Sequence, residues 1–254
     1  MNPPNNPPLF LAEKVRKNFG GVQALNSVTL SVRERTITLL IGPNGSGKTT
    51  LLNIASGTLK PDAGRLFFAG RDITRLPPHE RFKLGIARTF QIPSLFTSLS
   101  VLENLLVPGD FELPPAILLT RAWERRQRKR VEKAFHVLKL LSLDHLWDSP
   151  ASELSGGQMK LLELARALMS DPKLLLLDEP LAGVNPVLAE GVMNHLVKLR
   201  RELKISFLVV EHRLDVALRY ADYVYALHKG RVVSEGPPDV VVKSPAVAEP
   251  YLGG

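Results

Sequence analysis

The residues with the plainest chemical content are Gly42-Pro43-Asn44-Gly45-Ser46-Gly47-Lys48-Thr49, spaced Gly-x-x-x-x-Gly-Lys-Thr. Glycines in such a loop let the backbone curl until successive N–H groups converge on one anion. The lysine reaches the terminal phosphates of a nucleotide, and the hydroxyl of Thr49, with Thr50 beside it, suits a magnesium ion carried on them. The chemistry is therefore phosphate binding. A second pair of groups closes the run Leu174-Leu175-Leu176-Leu177-Asp178-Glu179. Phosphoryl transfer to water needs one more magnesium ligand and a group that orients or deprotonates the water. Asp178 is the candidate for the metal and Glu179 for the water. Adjacent strand residues point to opposite sides, so neighbours of equal charge can do different work.

These groups act only if the chain positions them. The apolar run Ile37 to Ile41 leads straight into the glycine-rich turn, which predicts a buried strand feeding a helix that begins near Lys48. The N-terminus of that helix adds a positive dipole to the loop. Leu174 to Leu177 and Ile205 to Val210 read as two more buried strands, the first expected beside the strand that feeds the loop. Alternation at Leu25, Val28, Leu30 and Val32 reads as a half-buried strand. Leu161, Leu164, Ala165 and Leu168 form a helical stripe, and Pro186 to Leu203 opens with a proline suited to a first helical turn. Strands alternating with helices imply an α/β chain with a largely parallel sheet. Residues from about 92 to 160 break the alternation, with helices near Ser100 to Leu106 and Arg121 to Leu141. Ser100 and Glu103 have capping-box spacing. This stretch is read as an inserted helical subdomain, with loops around Pro108, Pro114 and Pro115. Residues 1–8 hold four prolines and three asparagines and are expected to be a disordered tail, so one domain runs from 9 to 254.

Bulk composition removes several function classes. The 254 residues are 44% hydrophobic and 23% charged, enough for a full core. The absence of cysteine excludes disulfides, a thiol nucleophile and a thiolate zinc site. The apolar runs are far shorter than the ~20 residues that span a bilayer, and the start does not resemble a secretory signal. The net charge of +8 is concentrated. Arg121, Arg125, Arg126, Arg128, Lys129, Arg130 and Lys133 face only Glu124 and Glu132 in one segment, read first as the solvated face of a helix and second as a contact with a partner or membrane surface.

Leu154-Ser155-Gly156-Gly157-Gln158 precedes the Asp-Glu strand. With the phosphate loop and that strand in this order, it resembles the signature sequence of ATP-binding-cassette ATPases, over roughly residues 9 to 252. The resemblance implies a P-loop NTPase core with a mainly parallel sheet, an N-terminal antiparallel β subdomain and the inserted α-helical subdomain. It implies ATP and Mg2+ as cofactors. Gln91 in Arg88-Thr89-Phe90-Gln91 matches the glutamine that links magnesium and water to the helical subdomain, and His212 matches the switch histidine at the γ-phosphate. Phe19 resembles the aromatic that stacks on adenine. Lys48, Glu179 and His212 would then be catalytic, while Thr49, Gln91 and Asp178 would hold the metal. Ser155, Gly156, Gly157 and Gln158 open a helix whose N–H groups can bind an anion. The P-loop already covers one side of the phosphates, and a second copy can cover the other. The implied assembly is a head-to-tail dimer, of identical or different cassettes, with each ATP between the P-loop of one chain and the signature of the other.

Two departures from the family pattern stand out. Arg35-Thr36 replaces the usual Gly-Glu before the P-loop strand, which should alter a hairpin and leave the site intact. Asn185 stands where many relatives have Asp, in the loop that meets the other subunit. Leu181-Ala182-Gly183-Val184-Asn185-Pro186, Arg88-Thr89-Phe90-Gln91 and the ending Val247 to Gly253 are similar to ATP-binding subunits of branched-chain amino acid uptake systems, whose relatives also serve urea and short amides. Such a subunit works with membrane permeases at the cytoplasmic face of the inner membrane and indirectly with a periplasmic solute-binding protein. An exporter ATPase of the lipopolysaccharide type shares the one-cassette size. A nucleic-acid machine of this family would need long coiled coils, for which 92 to 153 is too short, or two cassettes, so no nucleic-acid partner is expected.

Overall fold

A computed structural model describes residues 7–89, 95–107 and 121–247, with side chains in the last stretch from residue 124. Most of the expected tail, Phe90, Gln91, the proline-rich gaps at Pro108, Pro114 and Pro115, and the chain after Val247 lie outside the described residues. The chain divides into two compact units, one of residues 1–91 with 172–254 and one of 92–171.

The first unit carries two sheets. In one, β1 (Phe10–Phe19) pairs antiparallel with β2 (Val22–Val32) and with β4 (Ala63–Phe68), and β5 (Arg71–Asp72) edges β4. Leu25 and Val28 are both buried although three residues apart, a spacing that would put them on opposite faces of a regular strand. A bulge at this point, where Ser27 has φ 60°, restores both to the core face.

The other sheet has the order β10 (Arg231–Gly236), β9 (Tyr223–His228), β3 (Ile37–Ile41), β8 (Ser206–Val210), β7 (Leu174–Asp178), β6 (Ile86–Arg88). All neighbours are parallel except β10, which runs against β9. Every residue of β3, β7 and β8 is buried, as continuous apolar runs in a covered parallel sheet should be. The strand ending in Asp178 does not lie beside the strand that feeds the glycine loop: β8 separates them. An apolar run states that both edges must be paired, not with which strand, and β8 is as apolar as β7.

Helix α1 (Lys48–Ser56) packs against β2 and against β6 and β7. Its Leu51, Leu52 and Ile54 belong to one core with Phe10, Leu25 and Leu30 of the antiparallel sheet and Leu40, Leu174 and Leu208 of the parallel one. Helix α2 (Pro78–Leu84) carries Arg81, only 1% exposed. Its guanidinium donates to the carbonyls of Ile54 and Ala55 at 2.5 and 3.0 Å, Leu76 at 3.0 Å and Thr74 at 3.1 Å. The first two belong to the last turn of α1, so a cation satisfies the carbonyls that a helix leaves unpaired. Burial lowers the pKa of Arg81 to about 10. Helix α6 (Pro186–Leu203), which packs on β3, α7 (Leu214–Ala217) and α8 (Pro238–Val242) complete the unit. Arg35 adopts φ 56° in the turn before β3, and its N–H donates to Ser206 Oγ at 2.8 Å. The expected hairpin is absent, because β2 and β3 lie in different sheets and this turn passes from one to the other; the position keeps a left-handed conformation, at a residue with a Cβ.

In the second unit α3 (Val101–Leu106), α4 (Arg121–Leu140) and α5 (Gly156–Leu168) pack on one another. The Ser100 and Glu103 capping box is present. Ala134, Val137 and Leu138 of α4 are buried, while Arg125, Arg126, Arg128 and Lys129 are exposed, the arrangement of a helix with one solvated face. On α5 the buried set is Gly157, Leu162, Glu163, Leu164, Ala165 and Leu168, with Leu161 only half-buried.

Candidate active site

The glycine loop lies between β3 and α1, and its shape depends on missing side chains. A Cβ on Gly42 would stand 2.3 Å from the carbonyl oxygen of Leu227, and one on Gly47, at φ 106°, would stand 2.5 Å from that of Ala24. The loop can follow this path only with glycine there. Pro43 is half-buried, Asn44 and Gly45 are exposed, and Ser46 is buried with its hydroxyl unpartnered. Gly47 caps α1 without a side-chain bond, and the first turn carries no acidic residue, so the helix dipole remains available to an anion. Thr49 is exposed and Thr50 half-buried on that first turn. Lys48 Nζ donates to the carbonyls of Gly42 and Pro43 at 2.7 and 2.9 Å. Burial pulls its ammonium below the usual lysine range, opposed by the charges of Glu179 and Asp178. Both carboxylates therefore lie near enough to act on the charge of the loop lysine.

Asp178 ends β7 and is 4% exposed. Its Oδ2 accepts from Arg88 at 3.0 Å, and Arg88 also donates to Asn53 Oδ1 at 2.5 Å and Ser56 Oγ at 3.3 Å on α1. Glu179 lies just beyond the strand at φ 51°. The two carboxylates separate because the backbone turns out of the sheet between them, which adds to the pleat that strand alternation anticipated. Glu179 N–H donates to the Val210 carbonyl at 2.9 Å, which keeps this turn at the end of β8. Its Oε1 is 2.7 Å from His212 Nε2. Glu211, 1% exposed, accepts at one oxygen from Leu181 N–H and at the other from the N–H groups of His212 and Arg213. Burial raises its pKa above the usual carboxylate value and the charge of Glu179 adds to this, while the three N–H groups oppose the rise.

Phe19 ends β1 half-exposed, with Lys17 Nζ over its ring at 5.6 Å from the centre. Gln91 lies outside the described residues. Ser155 caps α5: its Oγ accepts from Gln158 N–H at 3.3 Å and Gln158 Oε1 accepts from Ser155 N–H at 2.8 Å. The side chains of Ser155 and Gln158 thus shape the helix start, and the N–H groups of Gly156 and Gly157 remain at its N-terminus. Asn185 caps α6, its Oδ1 accepting from Leu188 N–H at 2.9 Å. An aspartate would cap equally well, so the departure leaves this element unchanged. The sequence reading gave no role to Arg88, which opens the motif ending in Gln91, or to Glu211 and Arg213, which flank His212; their partners Asp178, Leu181 and Val184 lie far away in sequence.

A glycine loop between a parallel strand and a helix, shaped to cradle an anion, with its lysine and two carboxylates nearby, defines a P-loop nucleotide hydrolase. Residues 25–182 match the ABC transporter family, described as "ABC transporter". The chain is 50% identical over 246 residues to the probable branched-chain amino acid transport ATP-binding protein LivG of Archaeoglobus fulgidus, covering 96% of this chain and 95% of that one. Among solved structures, the ADP conformation of MJ1267, an ATP-binding cassette of an ABC transporter, superposes with a TM-score of 0.86 at 44% identity, covering 98% of this chain and all of that one. The dimeric post-hydrolysis structure of the cassette MJ0796, bound to ADP and Pi, gives 0.73 at 28% identity, covering 90% of this chain and 98% of that one. The chain belongs to the ABC transporter family, and it is an ATP-binding, ATP-hydrolysing cassette of that family. Among the described residues no helix is long and apolar enough to cross a membrane.

Proposed function

We propose that this chain is the ATPase subunit of an importer for branched-chain amino acids or similar small polar solutes. The likeness to the Archaeoglobus protein along nearly the whole of both chains carries the solute class. The cassette would be one domain from 9 to 254 with a helical insertion at about 92–160, lying against membrane permeases on the cytoplasmic face and served by a periplasmic solute-binding protein. Two cassettes would form the working unit, and the dimeric solved relative supports this.

In this reading Gly42 to Gly47 hold the phosphates through backbone N–H groups, and Lys48 leaves its loop carbonyls for the terminal phosphate. Phe19 stacks on the adenine. Mg2+ would be held by the carboxylate of Asp178, the Thr49 hydroxyl and Gln91, hard oxygen donors of the kind that ion takes. The ion, when bound, draws charge from the phosphate oxygens and so favours attack on phosphorus. Glu179 accepts the proton of the attacking water, and the 2.7 Å contact with His212 Nε2 orients its carboxylate. Ser155 to Gln158 of the second cassette close the other side. Loss of the γ-phosphate removes the group that joins the halves, which turns chemistry into opening.

The test compares Glu179→Gln with Asp178→Asn. Glu179→Gln keeps ATP binding, loses roughly 10²–10⁴ in rate and remains dimeric on size exclusion with Mg-ATP. Asp178→Asn weakens the metal-dependent part of binding. A Glu179→Gln protein with parent turnover would refute the assignment. For the solute, leucine should stimulate hydrolysis by the transporter reconstituted with its permeases and binding protein, and a flat response would remove that class.

A further inference from the structure

Beside the groups assigned to nucleotide, one buried acid has no part in the chemistry. Register places it: Asp178 on β7 pairs with Val210 on β8, so Glu179 and Glu211 leave adjacent strands at the same level. The Glu211 carboxylate accepts from Leu181 N–H at 2.6 Å, His212 N–H at 3.0 Å and Arg213 N–H at 3.3 Å. Two residues on, Arg213 donates to the Val184 carbonyl at 3.0 Å. Residues 211 and 213 thus bind both ends of the segment 181–184, while His212 between them meets Glu179. We propose that Glu211 and Arg213 are positioning residues, a clasp that fastens the loop after Glu179 to the histidine segment and so fixes Glu179 against His212 for hydrolysis. The inference rests on the roles given above to Glu179 and His212.

The chemistry of the acid makes the clasp specific. A carboxylate is an acceptor only, with lone pairs for three N–H groups, whereas a glutamine of the same size presents an NH2 to donors at one of its two ends. Glu211→Gln therefore turns an attractive contact into a repulsive one without opening a cavity. The P-loop is untouched, so the loss should fall on turnover and spare nucleotide affinity.

The experiment uses the full chain at concentrations where activity per chain has stopped rising, with kcat from phosphate release and ATP affinity from titration with a fluorescent ATP analogue. Glu211→Gln is expected to lower kcat at least about tenfold, or ~1.4 kcal/mol, with affinity within about twofold of the parent. Arg213→Gln, at a side chain 27% exposed and so tolerant of change, should act in the same direction and decide the matter if Glu211→Gln does not fold. The double variant should lose no more than Glu211→Gln alone, since both break one clasp. Glu179→Gln runs in parallel. If it keeps the parent rate, the underlying reading fails; if it collapses while both clasp variants turn over normally, the clasp fails. A drop in kcat matched by an equal loss of ATP affinity or of folded protein in thermal melts would also overturn it, leaving the pair as support for the fold.

Discussion

At the scale of single residues, buried charges are held by partners on other elements. Asp178 is nearly inaccessible, and Arg88 supplies the opposing charge. Removing one member of a buried pair leaves an uncompensated ion, at roughly 3–5 kcal/mol. Arg88→Met should therefore melt well below the parent in EDTA. Mg-ADP, which offers Asp178 a cation in place of the guanidinium, should raise the variant's melting temperature more than the parent's. Equal shifts would show that Asp178 does not meet the metal. Glu211 makes a statement about pH. Its folded pKa stands above its ordinary value of 4.5, so between the two the native state keeps a proton that the unfolded chain has released. Stability contributed by that proton is present at and below pH 4.5 and is lost as pH rises to the folded value. Melting curves from pH 4 upward should show the parent losing ground against Glu211→Gln through this window. A constant difference would contradict the raised pKa.

At the scale of elements, the phosphate loop depends on the helix it opens, and that helix is finished by a residue from outside it. Arg81 closes the last turn of α1 and ties it to the carbonyls of Thr74 and Leu76. Arg81→Met keeps the apolar stem; the Ile54 carbonyl still accepts from Gly57 N–H, but those of Ala55, Thr74 and Leu76 lose the guanidinium donor, at about 1–3 kcal/mol for each that water cannot reach. Denaturant titration should show a loss of at least about 3 kcal/mol, and Arg81→Lys should restore less than half, because an ammonium cannot match the planar fork. A loss under about 1 kcal/mol would mean that α1 holds its own end.

At the scale of the whole molecule, one chain has a complete phosphate loop and carboxylate pair, while Ser155 to Gln158 open α5 in the other compact unit. If the signature serves the ATP of a second chain, each site needs two copies. Hydrolysis by the purified chain should then rise more than linearly with protein concentration and saturate where size exclusion with Mg-ATP shows a dimer. Activity proportional to concentration throughout the monomer range would mean that one chain suffices.

The sequence by itself determined what covalent spacing can state. The glycine loop, the apolar runs of β3, β7 and β8, the Ser100 and Ser155 helix starts and the end of α6 were all legible, because each is a local pattern of turn residues, periodicity or caps. The family was legible for the same reason, since its motifs are contiguous. Only the tertiary structure decided that β8 lies between β3 and β7, because a strand buried on both faces carries no mark of its neighbour. Only it brought Arg88 to Asp178, Arg81 to α1 and Glu211 to Leu181, contacts between residues 90, 27 and 30 positions apart. Each is a charged group satisfied by a backbone or side chain from another element, and the need for a partner is written in the residue type while the partner's identity is settled by packing.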